Sequence, residues 1–307
     1  MRLLIANDDG IYSPGLAMLA KVARGFGEVR VVAPDVEQSS ASHAITASKP
    51  LDYRRTRIIE GIEAYRVNGT PADCVALGAY HWEKVDVVLS GVNLGPNLGN
   101  ALWHSGTLAP AKQAALLGLR GIAFSTPVVG DDPDVTGLEP YLERVLDLLL
   151  PRRELKLVNV NLPPRPRGMC WTRQAVEQYD GRVVPGEDPM GRRHYWFTVV
   201  PLERHQPGTD LWAQHAGYIS MTPLRLDLTN HAELSRAAGD QPTIEFEDEP
   251  AAERVADDEM PGDEDALAAD DVALAADEDV LAADDGVLAA DDRALAADEK
   301  PLVRPTD

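Results

Sequence analysis

The chain has little of what several large protein classes require. It holds only two cysteines in 307 residues, Cys74 and Cys170, far apart and in no CxxC pair. That excludes a disulfide-stapled scaffold and leaves two reduced, partly buried thiols as the expectation. The seven histidines form no HxxxH or HExxH pattern. No GxSxG elbow and no GxxxxGK[ST] loop is present, which removes support from a serine hydrolase and from a P-loop NTPase. No apolar run could span a bilayer, and Met1–Ala6 meets Asp8 and Asp9 too soon for a signal peptide. A soluble, cytoplasmic protein that does not engage membranes is expected. Aromatics are sparse at 6%, against 24 glycines and 23 prolines, a composition that suits a compact α/β body with many turns.

Positive charge is also scarce, but unevenly so. Residues 247–307 carry 22 acids and 4 bases, whereas residues 1–246 carry 28 acids and 25 bases. The net charge of −21 therefore belongs to a tail, and the nearly neutral body shows no basic patch that would recruit nucleic acid. In the tail, Leu-Ala-Ala-Asp recurs at Leu267, Leu274, Leu281, Leu288 and Leu295, a period of seven. A coiled-coil seam needs apolar residues three and four apart, yet the positions three and four after each leucine are Asp or Glu. An acidic, low-complexity and disordered tail from 247 to 307 is expected, with a docking segment for a basic partner as the other reading.

What is present in the body is an alternation of strands and helices. Arg2–Ala6 is an apolar run that stops at Asn7-Asp8-Asp9-Gly10. Ser13-Pro14 reads as a cap followed by proline at a first helical position, and Leu16, Leu19, Ala20 and Ala23 recur at helical spacing. Val29–Ala33 is a second strand, Val85–Leu89 a third and Gly121–Ser125 a fourth, with a helix over Leu108–Leu119. Such a pattern predicts an α/β, Rossmann-like, doubly wound and mostly parallel sheet. Residues 127–246 read as an elaboration of the same domain with an extended C-terminal β-hairpin. A helix is expected at Leu142–Leu150, and strands at Lys156–Leu162, Tyr195–Val200 and Tyr218–Thr222.

Ligands of open parallel sheets gather beyond the carboxyl ends of the strands. That rule brings Asp8 and Asp9, Ser39 and Asn93 together from separate stretches. Adjacent carboxylates are costly unless a cation neutralises them, and carboxylate, hydroxyl and amide oxygens suit Mg²⁺ or Mn²⁺ better than zinc. A turn with a helix cap is the ordinary alternative for Asp8-Asp9. The loop Ser90–Gly99 concentrates glycine and asparagine and could cradle an oxyanion. Ser105-Gly106-Thr107 precedes a helix, where free N–H groups and the helix dipole favour phosphate, although either hydroxyl could simply cap that helix. Lys112 lies about one turn inside, and His104 is the one histidine close enough to test as an acid or base.

These stretches together resemble the SurE family of survival-protein nucleotidases. The resemblance is carried by Asn7-Asp8-Asp9-Gly10 with Pro14-Gly15, Val32-Ala33-Pro34-Asp35 with Ser39, Gly69–Val75, Ser90–Gly99 and Ser105-Gly106-Thr107. Gly208-Thr209-Asp210, Gly217–Leu224 and Asp227-Leu228-Thr229 extend it to about residue 232. It implies one divalent metal ion per subunit, Mg²⁺ or Mn²⁺, held by Asp8, Asp9, Ser39 and Asn93, with Asp8 and Asp9 catalytic. Asn97, Ser105, Gly106 and Thr107 would orient the phosphate of nucleoside 5′- or 3′-monophosphates. The nucleophile is a water or Asp8 itself, with water favoured. Relatives assemble as dimers or tetramers and some cleave short polyphosphate. Ser40 stands where many relatives have glycine, and the acidic tail has no counterpart. A nucleotide sensor without turnover, and a phosphatase for polyphosphate or sugar phosphates, are the competing expectations.

Overall fold

The computed structural model describes residues 1–128, 135, 137–176, 181–199 and 206–239. The expectations for the acidic tail lie outside those residues. Met1–Arg236 forms one compact unit.

The unit is built on a nine-stranded sheet. Its first strand, β1 (Arg2–Ala6), is almost wholly buried and apolar on both faces, as a central parallel strand covered on both sides must be. Helix α1 (Pro14–Ala23) begins with proline behind Ser13 and returns the chain to β2 (Glu28–Pro34), parallel to β1. Two short strands follow, β3 (Tyr53–Thr56) and β4 (Glu63–Val67), then α2 (Pro71–His81). Next come β5 (Val87–Leu94), α3 (Leu108–Leu116), β6 (Arg120–Thr126), α4 (Glu139–Leu149) and β7 (Leu157–Asn161). A 3-10 turn over Gly99–Trp103 separates β5 from α3. The remaining elements are β8 (Gly168–Trp171), β9 (Gly181–Glu187), β10 (Arg193–Val199), α5 (Asp210–His215), β11 (Tyr218–Leu224) and α6 (His231–Ala238).

The strand order is β3-β4-β2-β1-β5-β6-β7-β11-β8. From β4 to β7 every neighbouring pair is parallel, whereas β3 joins β4 and β11 joins β7 antiparallel. The chain leaves β1 toward β2 and later returns to its other side with β5. That reversal makes the carboxyl ends of β1 and β5 the topological switch point, where such sheets open a crevice. Leu3, Ile5, Val31, Leu89, Phe124 and Val160 pack under α1 and α4, and Leu4, Val32, Val67 and Val88 pack under α2. A third cluster, Leu102, Leu108, Ala111, Ala123 and Leu157, seats α3 and the 3-10 turn.

The α/β class, the parallel order and the extended hairpin match the sequence reading, the hairpin being β9 paired antiparallel with β10. Two boundaries bear on the site, and one stretch holds elements that were not expected. Strand β5 does not stop at Leu89 but continues to Leu94, bulged between Ser90 and Asn93, because Val92 is fully buried and Asn93 pairs with Ser125. Asn93 is thus held on a strand rather than in a loop. Helix α3 ends at Leu116, and Gly118 at φ +75° turns the chain out of it. The stretch between β2 and β5 holds β3, β4 and α2, none of which apolar periodicity marks. Helix α2 had its own signal: Thr70 and Asp73 cap each other's backbone N–H groups around Pro71.

Candidate active site

At the switch point the backbone of β1 runs straight into Asn7-Asp8-Asp9-Gly10. Asn7 donates from its side-chain amide to the Gly10 carbonyl (3.0 Å) and so closes the turn. Gly10 adopts φ +94°, a conformation that costs a side-chain-bearing residue but not glycine. Asp8 is left only 3% exposed. One of its oxygens, Oδ1, accepts a hydrogen bond from the Thr107 hydroxyl (2.8 Å), and its backbone carbonyl accepts the Gln38 N–H (2.7 Å). Gly106 lies against the other oxygen: a methyl group there would stand 2.6 Å from Asp8 Oδ2. Glycine at 106 is therefore needed for close approach to the carboxylate.

Asp9 is half-buried, and its Oδ2 is a buried oxygen with no hydrogen-bond partner. Burial pushes both acids up, Asp8 to about 6 and Asp9 to about 7. The negative charge of Glu37 adds to the shift of each, and Asp8 adds to that of Asp9. The Thr107 hydroxyl pulls Asp8 back, and the Leu94 N–H does the same for Asp9. A buried carboxylate beside a half-buried one with a bare oxygen makes an electrostatic deficit that a cation would relieve. Among the described residues no three His, Cys, Asp or Glu side chains form a metal cluster. A cation here would need hydroxyl or amide oxygens besides, which fits a hard ion.

The remaining sequence-derived candidates fall as follows. Asn93 is next to Leu94, whose N–H reaches Asp9, and its own amide donates to the Gly95 carbonyl (2.7 Å). Ser39 is exposed, and its hydroxyl donates to Glu37 (2.6 Å) rather than to either aspartate. The segment carrying it is nonetheless tied to the site by the bond from Gln38. Ser105 accepts the Leu108 N–H (3.1 Å), capping α3 while leaving its own proton to be donated. Thr107 is held twice: its carbonyl accepts from Ser90 Oγ (2.7 Å), and its hydroxyl accepts from the Asn97 amide (3.2 Å).

The profile of the family described as "Survival protein SurE" matches residues 3–181. A protein named 5′-nucleotidase SurE 1 from Thermus thermophilus is 44% identical over 78% of this chain and 97% of its own length. The 5′-nucleotidase SurE of Deinococcus radiodurans is 43% identical over 74% of this chain and 88% of its own. The crystal structure of the SurE protein from Aquifex aeolicus superposes with a TM-score of 0.65 at 35% identity, covering 78% of this chain and 98% of that one. The chain belongs to the SurE family.

In this chain, Asn97 is buried among protein groups rather than aimed at open space, and Lys112 donates to the Leu102 carbonyl (3.2 Å), with burial lowering its pKa. His104 is exposed, and its carbonyl accepts the Ser42 N–H (3.3 Å). Tyr12 and Trp103 are exposed, and neither is a core residue. Sequence reasoning missed Glu37, the third acid at this corner, although it sits two residues before Ser39. It also missed Asn159 and Asn161, whose alternation in an otherwise apolar strand was a visible signal. Among the described residues, no helix is long and apolar enough to cross a membrane.

Proposed function

We propose that this protein is a metal-dependent phosphomonoesterase that hydrolyses nucleoside 5′- and 3′-monophosphates to nucleoside and phosphate. The observation that carries the reading is the pair Asp8-Asp9 at the switch point, Asp8 buried and Asp9 half-buried with its Oδ2 bare, beside the amino end of α3. The names of the relatives from Thermus and Deinococcus support 5′-nucleotide substrates. Hydrolysis of 3′-nucleotides and the divalent-metal requirement rest on the family resemblance and on the chemistry of the oxygen donors.

One Mg²⁺ or Mn²⁺ ion per subunit would be held by Asp8, Asp9, Asn93 and Ser39. Ser39 has to turn its hydroxyl lone pairs away from the surface to take part. When bound, the ion supplies positive charge against the phosphoryl oxygens as they transfer. The protein's own groups do the rest. Asp8 presents Oδ2, its Oδ1 being taken by Thr107. Ser105 offers a hydroxyl proton, and the backbone at Gly106 and Thr107 meets the phosphate at the positive end of α3. Because these donors are fixed before substrate arrives, they need little reorganisation as charge develops.

The catalytic body is assigned to residues 1–246 and the acidic tail to 247–307. The enzyme is read as cytoplasmic and as a homodimer or homotetramer, in line with the family resemblance. The deciding experiment measures phosphate release from a panel of nucleoside monophosphates with Mg²⁺, Mn²⁺ or EDTA, in wild type and Asp8→Asn. Metal-dependent release that the substitution abolishes supports the proposal. Folded protein that binds nucleotide yet releases no phosphate with any metal overturns it in favour of a sensor.

A further inference from the structure

Next to the carboxylate corner lies a set of buried amides, two of which, Asn159 and Asn161, the phosphatase reading does not use. Asn159 and Asn161 are two residues apart on β7 and therefore share one face of the sheet, and neither is exposed. Both donate to the Asn97 carbonyl, at 2.8 and 2.9 Å, and Asn161 also accepts the Asn97 N–H at 2.8 Å. Asn97 is thereby clamped at backbone level. Its side-chain amide has two protons to give. One goes to Ser125 Oγ (2.8 Å) and the other to Thr107 Oγ1 (3.2 Å). Both donors are then committed to protein atoms, which leaves neither for a phosphate oxygen.

The polarity of the last link follows. Thr107 Oγ1 receives a proton from an amide that can only donate, so the single proton of the threonine is directed to Asp8 Oδ1. That bond holds Asp8 Oδ1, and the other oxygen, Oδ2, lies close against Gly106. Burying these amides is expensive relative to leucine or valine. The arrangement is not optimal for stability either, since Asn159 Oδ1 stays buried without a partner.

We infer that Asn97, anchored by Asn159 and Asn161, is a positioning residue that acts through Thr107 to aim Asp8 Oδ2 at the cation, and is not a phosphate ligand. The inference rests on the metal-dependent reading above; it gives a role to Asn159 and Asn161 and replaces the phosphate contact expected of Asn97 from the sequence. Partners behind a metal ligand of this kind change metal affinity by roughly 10–100-fold when removed.

The test is a double-mutant cycle on the full chain with Asn97→Ala and Thr107→Val. It is read by calorimetric titration of Mn²⁺ without substrate, alongside inhibition by inorganic phosphate. Each single change should weaken Mn²⁺ binding by about 10–100-fold, and the double should be no weaker than Thr107→Val alone, because both act on one link. Thr107→Ser should restore most of the affinity. Independent, additive losses, or Asn97→Ala weakening phosphate inhibition while Mn²⁺ affinity holds, would overturn the inference in favour of direct phosphate binding. A fall in Tm with unchanged Mn²⁺ affinity would reduce Asn97 to a structural residue. Should Asn97→Ala fail to fold, Asn159→Ala with the Thr107 pair carries the same comparison. Wild type that takes up no Mn²⁺ sinks the metal reading itself, and this inference with it.

Discussion

The molecule buries aspartates at two corners and treats them in opposite ways. Asp210, at the amino end of α5, is fully buried, yet its carboxylate accepts three backbone N–H bonds, from Gly99 (2.9 Å), Ala175 (2.9 Å) and Leu211 (2.8 Å). Asp8 and Asp9 have far fewer partners. Asp8 has the Thr107 hydroxyl, Asp9 has the Leu94 N–H, and one Asp9 oxygen has nothing. Burial raises the pKa in both corners. At Asp210 the amides complete the solvation, so the residue works as a staple between β11's side of the sheet and the 3-10 turn. At Asp8-Asp9 the solvation is left incomplete, and incompleteness is what a cation can exploit. The lesson is that burial alone does not mark a functional carboxylate; an unfilled shell does.

The largest expected effect separates the two corners by chemistry. Asp8→Asn should lower kcat/KM by more than about 10³-fold, since it removes a charge used in the reacting complex. The same variant should melt higher than wild type in EDTA, because a buried, poorly solvated charge has gone. A lower Tm would show that Asp8 is a structural acid like Asp210. The next effect runs the other way. Asp210→Ala leaves three buried N–H groups bare and should cost about 3 kcal/mol in denaturant unfolding, with Mn²⁺ affinity kept at the wild-type value. Loss of metal affinity comparable to that of Asp8→Asn would merge the corners into one site.

How far the sequence reveals each corner depends on the range of the forces involved. The run Arg2–Ala6 ending in two acids is local, so both the strand and the carboxylate pair could be read directly. Ser105-Gly106-Thr107 before an apolar helix was equally legible. Asn93 and Asn97 sat in one glycine-rich stretch that reads as a single loop. In the structure a bulged strand takes Asn93 and a buried amide network takes Asn97, and both outcomes depend on β6 and β7, far away in the chain. Ser39 was found by its place after β2, but spacing could not show its hydroxyl bonded to Glu37. Strands β3 and β4 escaped because they are short, arginine-rich and near an edge, so the period-two apolar pattern is weak.

A smaller perturbation probes the packing of the Asp8 corner without touching a charge. A methyl at Gly106 would stand 2.6 Å from Asp8 Oδ2 and 2.9 Å from both Asp8 Cβ and the Gln38 carbonyl. Asp8 is held by Thr107 and cannot swing clear easily. Gly106→Ala should therefore displace the carboxylate and reduce kcat/KM by about 100-fold, a scale set by misplacement of a reacting group. The corresponding change at Gly118, which has open space around it, should leave kcat/KM unchanged, although its φ of +75° makes any side chain strained. Equal activity losses at both glycines would show that loop strain, and not the proximity of Asp8, is being measured.

The smallest effect is a pH dependence whose sign the cation should reverse. In metal-free protein, Asp8 titrates near 6 and Asp9 near 7, both above the 3.8 of an unstructured aspartate. Between those limits the folded chain binds protons that the unfolded chain lacks, so folding grows more favourable as pH falls. From pH 7.5 to 5 the EDTA-treated protein should gain on the order of 3 kcal/mol, the larger part at Asp9, whose carboxyl is pushed up further, with Tm rising accordingly. The Asp8→Asn, Asp9→Asn double variant should lose that gain, whereas any share due to Asp210 remains. With saturating Mn²⁺ the carboxylates are wanted ionised, protons compete with the ion, and Tm should fall over the same range. Parallel slopes with and without Mn²⁺ would mean that the ion does not bind at this pair, and the contrast between an unfilled and a filled carboxylate shell would fail.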